Sequence, residues 1–170
     1  MTDNDDNFGR IDTLGLYQPF LERVSMVIGA CQKRGVYFVA TCGLRTYDEQ
    51  NAIYAKGRTA PGGIVTNAKG GQSLHNFGIA VDFCRDANYP SKEGLKPDYT
   101  DSHYAILGEE AAKLGLEWGG GWKSIKDTPH VQLPYNLKFG IKLSDLRREY
   151  SKGGYAAVYK FLDQYKWFDD

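Results

Sequence analysis

The most constraining stretch of this sequence is the apolar run Gly78-Ile79-Ala80-Val81-Asp82-Phe83-Cys84, which carries a carboxylate in its middle. A short apolar run of this kind predicts a buried strand. A carboxylate buried in a strand is costly unless a cation or several hydrogen-bond donors meet it. Any fold for this chain must therefore bring a partner to Asp82. His75 stands before the strand, and a turn over Asn76 to Gly78 can fold its ring back toward the aspartate. On spacing alone the two also read as a surface-loop histidine and a capping or paired aspartate.

The rest of the chain supplies short strands mixed with helices. Phe20, Val24, Val27, Ile28 and Cys31 recur at helical spacing over Pro19 to Lys33, with Gly35 as a stop. Val36 to Cys42 reads as a strand, and Thr46 followed by Glu49 opens a helix running to Lys56. Arg45 is thus placed at a strand-to-helix junction. Arg58 to Gln72 reads as a loop, as does the polar stretch Asp86 to Asp101. Ser102 to Leu114 resumes helical spacing, Glu117 to Trp122 is a tight turn region, and His130 to Leu133 is a strand closed by Pro134. Two helical patterns finish the chain, Ser144 to Tyr150 and Tyr155 to Tyr165, divided by Gly153-Gly154.

This order predicts an α+β fold, a small antiparallel sheet with flanking helices. A length of 170 residues fits one domain, with residues 1–15 a loose start and 135–170 a helical extension packed on the domain. That extension is mildly basic and aromatic, so contact with an anionic surface is the other reading of it.

The 21 basic residues balance 21 acidic ones, which gives no overall field for nucleic acid or an anionic membrane. No run is long and apolar enough to cross a bilayer, and the acidic start lacks the pattern of an export signal. Cys31, Cys42 and Cys84 include no Cys-x-x-Cys pair and read as small buried apolar residues in a cytoplasmic product.

Catalytic zinc takes three protein ligands from His, Asp or Glu and leaves a position for water. His75, Asp82 and His130 meet that need. His130 follows Asp127-Thr128-Pro129 at the start of its strand, a place where an isolated histidine also reads as structural. His103, beside Asp101 at a helix start, reads only as structural.

Taken in order, Ser73-x-His75-x-x-Gly78-x-Ala80-x-Asp82, Glu117-Trp118-Gly119-Gly120-x-Trp122 and Asp127-x-Pro129-His130-x-Gln132 resemble the zinc L-alanyl-D-glutamate peptidases of phage endolysins, relatives of the D-alanyl-D-alanine carboxypeptidases. Gly43-Leu44-Arg45-Thr46-Tyr47-x-x-Gln50, Tyr54 and Gly57-Arg58-Thr59 extend the resemblance, which covers roughly Val36 to Leu133.

The resemblance implies one catalytic Zn2+ on His75, Asp82 and His130, with Asp127 as general base, Arg45 facing substrate or oxyanion, and Ser73 contacting the peptide. Glu117 is the rival base, because related enzymes use a glutamate in a Glu-x-x-His arrangement. Trp118 and Trp122 read as packing residues, with a groove wall as the alternative. Two departures stand out: the 86–101 stretch is long enough to reshape the groove, and Gly121 replaces a common aspartate.

The implied function is peptidoglycan cleavage at the L-alanyl-D-glutamate bond for host lysis, by a monomer made in the host cytoplasm and passed to the wall with the help of a holin. A D,D-carboxypeptidase and a non-catalytic zinc-containing wall-binding protein are the other readings.

Overall fold

The computed structural model describes residues 15–89 and 94–168. The expectations for residues 1–14, 90–93 and 169–170 lie outside those residues. The elements run α1 (Gln18–Lys33), β1 (Phe38–Cys42), α2 (Tyr47–Ala55), a 3-10 turn (Leu74–Phe77), β2 (Ala80–Asp86), β3 (Pro97–Asp98), α3 (Asp101–Lys113) and β4 (Glu117–Trp118). A second 3-10 turn (Gly119–Gly121), β5 (His130–Gln132), α4 (Tyr135–Phe139) and α5 (Leu143–Leu162) follow. The fold is α+β, with an antiparallel sheet in the order β1-β2-β5-β4 and β3 paired to the end of β2.

Strand β2, the run that carries Asp82, is central. Its alternation sorts the sheet into two faces. Phe38, Ala40, Val81, Phe83 and Val131 are buried among the apolar stripe of α1 (Phe20, Val24, Val27, Ile28) and Tyr104 and Leu107 of α3. Phe38 meets Phe83 and Tyr104 edge-on, at ring separations of 6.2 and 5.2 Å. Trp118 joins this side, its indole lying where a side chain on Gly108 of α3 would stand, and its N–H donates to the Thr128 carbonyl at 2.7 Å.

The opposite face carries the polar row. Asp82 pairs with His130, and Gln132 pairs with Ala80 and Glu117. A register shift between Ala40 and Cys42 sets Cys42 opposite Asp82. A bulge re-aims a side chain in this way, and here it delivers Cys42 to the polar face.

Helix α2 begins with the expected capping box. Thr46 Oγ1 accepts from the Glu49 amide at 3.2 Å, and the Glu49 carboxylate accepts from the Thr46 amide at 2.8 Å. The elements that differ from expectation are the shortest ones. A two-residue β3 lies inside the presumed polar loop, a two-residue β4 precedes the Gly119 turn, and α4 fills the gap after Pro134. The last two helical patterns form α5, broken by non-helical backbone at Gly153 and Gly154.

Leu146, Val158, Leu162 and Trp167 share the core with the sheet. Tyr150 stacks on Tyr47 at 4.7 Å and meets Phe77 at 6.3 Å, so α5 backs the turn that carries His75. Gly78 closes that turn at φ +67°, and a Cβ there would meet the Tyr159 hydroxyl and lie 2.6 Å from the Gly15 carbonyl. Gly78→Ala combines left-handed strain with overpacking and is expected to cost about 2 to 4 kcal/mol. A thermal melt checks this, with a fall in Tm of roughly 5 to 15 °C as the expected result.

Candidate functional site

The polar face of the sheet forms the floor of a cavity of about 550 Å³. Asp82 sits at its centre. Its Oδ2 is 3.3 Å from His75 Nε2 and its Oδ1 is 2.9 Å from His130 Nδ1. The far nitrogen of each ring is already engaged. His75 Nδ1 lies 2.8 Å from the Gly43 carbonyl oxygen, which can only accept, so Nδ1 carries the proton. His130 Nε2 lies 2.9 Å from Gln132 Oε1.

In neutral rings so arranged, both nitrogens facing Asp82 present lone pairs to a carboxylate. That juxtaposition is repulsive unless added protons or a cation lie between. Zinc accepts this donor set of two imidazole nitrogens and a carboxylate oxygen, whose atoms stand roughly 3.3 Å apart around a tetrahedral ion. The separations from Asp82 are of that size. Asp82 is shared by two clusters able to hold a metal, Cys42-His75-Asp82 and Asp82-Asp127-His130, with donor atoms within 4.8 Å of one another in each. The structure thus brings His75, Asp82, His130 and Asp127 together.

Without a metal, protons take its place. Burial works against a charged His75, yet the Asp82 hydrogen bond, with Cys42 and the Asp82 charge, raises the ring to about 10. Burial also pushes Asp82 up, but the His130 and His75 hydrogen bonds outweigh it and hold the carboxyl well below the usual carboxylate range. A ring raised above its ordinary value of 6.5 adds stability that is fully present below that pH and is lost as pH rises through the folded value. The metal-free protein is therefore expected to lose melting temperature from about pH 6.5 toward pH 10. His75→Gln should flatten this slope in a melting series, and an equally steep slope in that variant would count against the assignment.

Asp127 reaches the site through a close approach. Its carbonyl accepts from the His130 amide at 3.2 Å, its own amide donates to the Gly119 carbonyl at 3.1 Å, and a Cβ on Gly119 would lie 2.5 Å from the Asp127 carbonyl oxygen. Its half-buried carboxyl is raised by burial and then by the Asp82 charge, against the opposing pull of His130 and His75.

Arg45 lines the same cavity. Its guanidinium donates to Gln50 Oε1 at 2.9 Å and to Cys42 Sγ at 2.8 Å, while its amide donates to the His75 carbonyl at 3.0 Å. Asn76, fully buried, donates from Nδ2 to the Arg45 carbonyl at 2.8 Å and accepts from the Gly71 amide at 2.9 Å. It pins the arginine segment to the histidine turn. Ser73 also lines the cavity, with Val65 and Leu137 on its rim, 62% and 76% exposed.

Several expectations are corrected. Cys31 and Cys84 are buried as read, but Cys42 is only partly buried and touches His75 and Arg45. Burial pushes its thiol up, and the His75 and Arg45 contacts outweigh that to bring it down. Glu117 has both carboxylate oxygens occupied, by Trp122 Nε1 at 2.6 Å and Gln132 Nε2 at 2.8 Å, which leaves it poorly placed to act as a base.

The two tryptophans divide, Trp118 to packing and Trp122 to the cavity wall, 5.3 Å from the His130 ring. Among the described residues, none of the 86–101 stretch lines the cavity. His103 faces Asp98 at 3.5 Å, away from it. Asn76 and Gln132 as fixing residues were missed. Both lie inside the motif segments, and a buried amide beside a histidine was the available signal.

Residues 66–133 match the family model of the D-alanyl-D-alanine carboxypeptidases. The chain is 39% identical over 113 residues to the peptidoglycan L-alanyl-D-glutamate endopeptidase CwlK of Bacillus subtilis (strain 168), a match covering 61% of this chain and 65% of that protein. The chain thus spans just under two thirds of that relative's length. Among solved structures it resembles the L-Ala D-Glu endopeptidase ChiX of Serratia marcescens, with TM-score 0.52, 21% identity, and 82% of this chain and 98% of that one covered. It also resembles the LD-carboxypeptidase LdcB, with TM-score 0.53, 15% identity, and 95% and 76% covered. At these identities the two structures speak to the fold.

Proposed function

We propose, for a chain whose residues 66–133 match the family model of the D-alanyl-D-alanine carboxypeptidases, the activity of a zinc peptidase that cuts the L-alanyl-D-glutamate bond of the peptidoglycan stem peptide. The observation that carries the reading is the convergence of two ring nitrogens on Asp82 with Asp127 and Arg45 beside them. The identity to CwlK supports the bond assigned.

His75, Asp82 and His130 would hold the ion. Bound there, zinc supplies Lewis acidity toward a peptide carbonyl and a water. Asp127 takes a proton from the attacking water and returns it to the leaving amine, a role its raised carboxyl suits. Arg45 is the one arginine or lysine among the described residues lining the cavity, so it receives the negative charge of the oxyanion or of a substrate carboxylate. Ser73 offers a hydroxyl to the peptide. Cleavage of purified peptidoglycan tests the reading. New L-alanine carboxyl and D-glutamate amino ends are expected; release of D-alanine alone points to the D,D-carboxypeptidase, and zinc binding without release points to a wall-binding protein.

The setting we propose is phage lysis, with a monomer made in the host cytoplasm and given passage to the wall by a holin. Residues 135–170 act as a packed extension of a single catalytic domain. Host lysis only on co-expression with a holin is the expected result, and lysis without one would remove that partner.

A further inference from the structure

Glu117 and Gln132 face each other across β4 and β5, next to the His130–Asp82 pair. Four polar contacts run through them in series. Trp122 Nε1 donates to Glu117 Oε1 at 2.6 Å, and Gln132 Nε2 donates to Glu117 Oε2 at 2.8 Å. Gln132 Oε1 lies 2.9 Å from His130 Nε2, and His130 Nδ1 lies 2.9 Å from Asp82 Oδ1. His130 and Gln132 are buried, so water does not readily substitute for a lost partner.

The series can run in only one direction. An ionised carboxylate accepts and never donates, so Glu117 draws the amide nitrogen of Gln132 toward itself. The amide oxygen must then face His130. That oxygen also only accepts, so the ring proton sits on Nε2 and the lone pair on Nδ1. We propose that Glu117 and Gln132 are positioning residues that hold His130 in its Nε2–H tautomer, the form that offers Nδ1 to zinc. The inference rests on the zinc reading of the site, and it gives Glu117 a task that its occupied oxygens permit.

Glu117→Gln breaks the polarity. The new amide can donate to Gln132, turn it over and present an N–H to His130 Nε2, which favours the Nδ1–H tautomer and blocks the zinc-facing nitrogen. Zinc affinity, read by chelator competition, should fall about 10- to 100-fold. In the metal-free variant, ¹⁵N NMR of the neutral His130 ring should move from Nε2–H toward Nδ1–H.

The exchange variant Glu117→Gln/Gln132→Glu reverses the donor between positions 117 and 132 but keeps Trp122 donating to position 117 and His130 Nε2–H donating to position 132, since the new carboxylate accepts from both His130 and the amide at position 117. It should return zinc affinity to within about threefold of wild type. A residue needed only for packing would not move the tautomer, and the exchange would not rescue it.

The proposal is overturned if Glu117→Gln binds zinc within about threefold of wild type, or if the neutral His130 ring of the wild type carries its proton on Nδ1. Should Glu117→Gln fail to fold, the wild-type tautomer and the exchange variant decide, and a folded exchange variant with a tenfold or larger loss of affinity counts against it. A wild type that binds no zinc would sink the function proposed above, while the tautomer is still read in the metal-free protein.

Discussion

Replacing His130 by alanine is expected to remove zinc and, with it, peptidoglycan cleavage. His130 starts β5 directly opposite Asp82, and its Nδ1 is the nearest partner of Asp82 Oδ1. Alanine leaves one imidazole and one carboxylate, too few ligands for a catalytic site. The Lewis acidity lost is worth several kcal/mol, so the rate should drop by about 10³-fold or more. Metal content after dialysis and the rate of release of new amino ends measure the two effects together. His130 lies in the polar row between Gln132 and Asp82 and the core face is untouched, so the fold should survive, which a melt verifies. Full activity with zinc retained would remove His130 from the site.

Asp127→Asn is expected to separate the two properties. Zinc content stays near wild type, because the three ligands are intact, and the rate falls about 10²- to 10⁴-fold, the range for loss of a general base. The raised carboxyl adds a pH signature. A base must be deprotonated to act, so wild-type activity should fall as pH drops through a value above that of an ordinary aspartate. The residual activity of the variant should lack that limb. Glu117→Gln behaves differently, since excess zinc should restore much of its activity. If Asp127→Asn stays fully active, the base lies elsewhere in the cavity.

The parts of this fold legible in the sequence were those with enough residues to show a period or a chemical contradiction. The α1 stripe from Phe20 to Cys31 is one, and the capping box of Thr46 and Glu49 is another. Asp82 was legible because a carboxylate in an apolar strand demands a partner. Strand β4 was not, since Glu117 and Trp118 alone show no alternation; they pair because β5 lies beside them. Cys42 was misread for a similar reason. Its side chain is turned to the site by a register shift against β2, a tertiary event that leaves no local mark on the residues flanking it. The gathering of His75, Asp82, His130 and Asp127 was legible as chemistry, and its buried fixing points, Asn76 and Gln132, were not, because amides signal their role only once their partners are placed.

The aromatic seam between α5 and the His75 turn bears on how this protein can be recombined. The family match stops at residue 133, which looks like a natural cut point for shuffling modules between wall enzymes. Yet Tyr150 lies against Tyr47 and Phe77, Arg147 reaches the Gly71 carbonyl at 3.4 Å, and Trp167 is buried with its indole N–H on the Leu162 carbonyl. A chimera joined at Leu133 would strip the backing from the turn that carries His75 and bare a greasy surface. The structural unit here is the sheet and its site together with the tail packed on them, and a graft that respects it begins beyond Phe168.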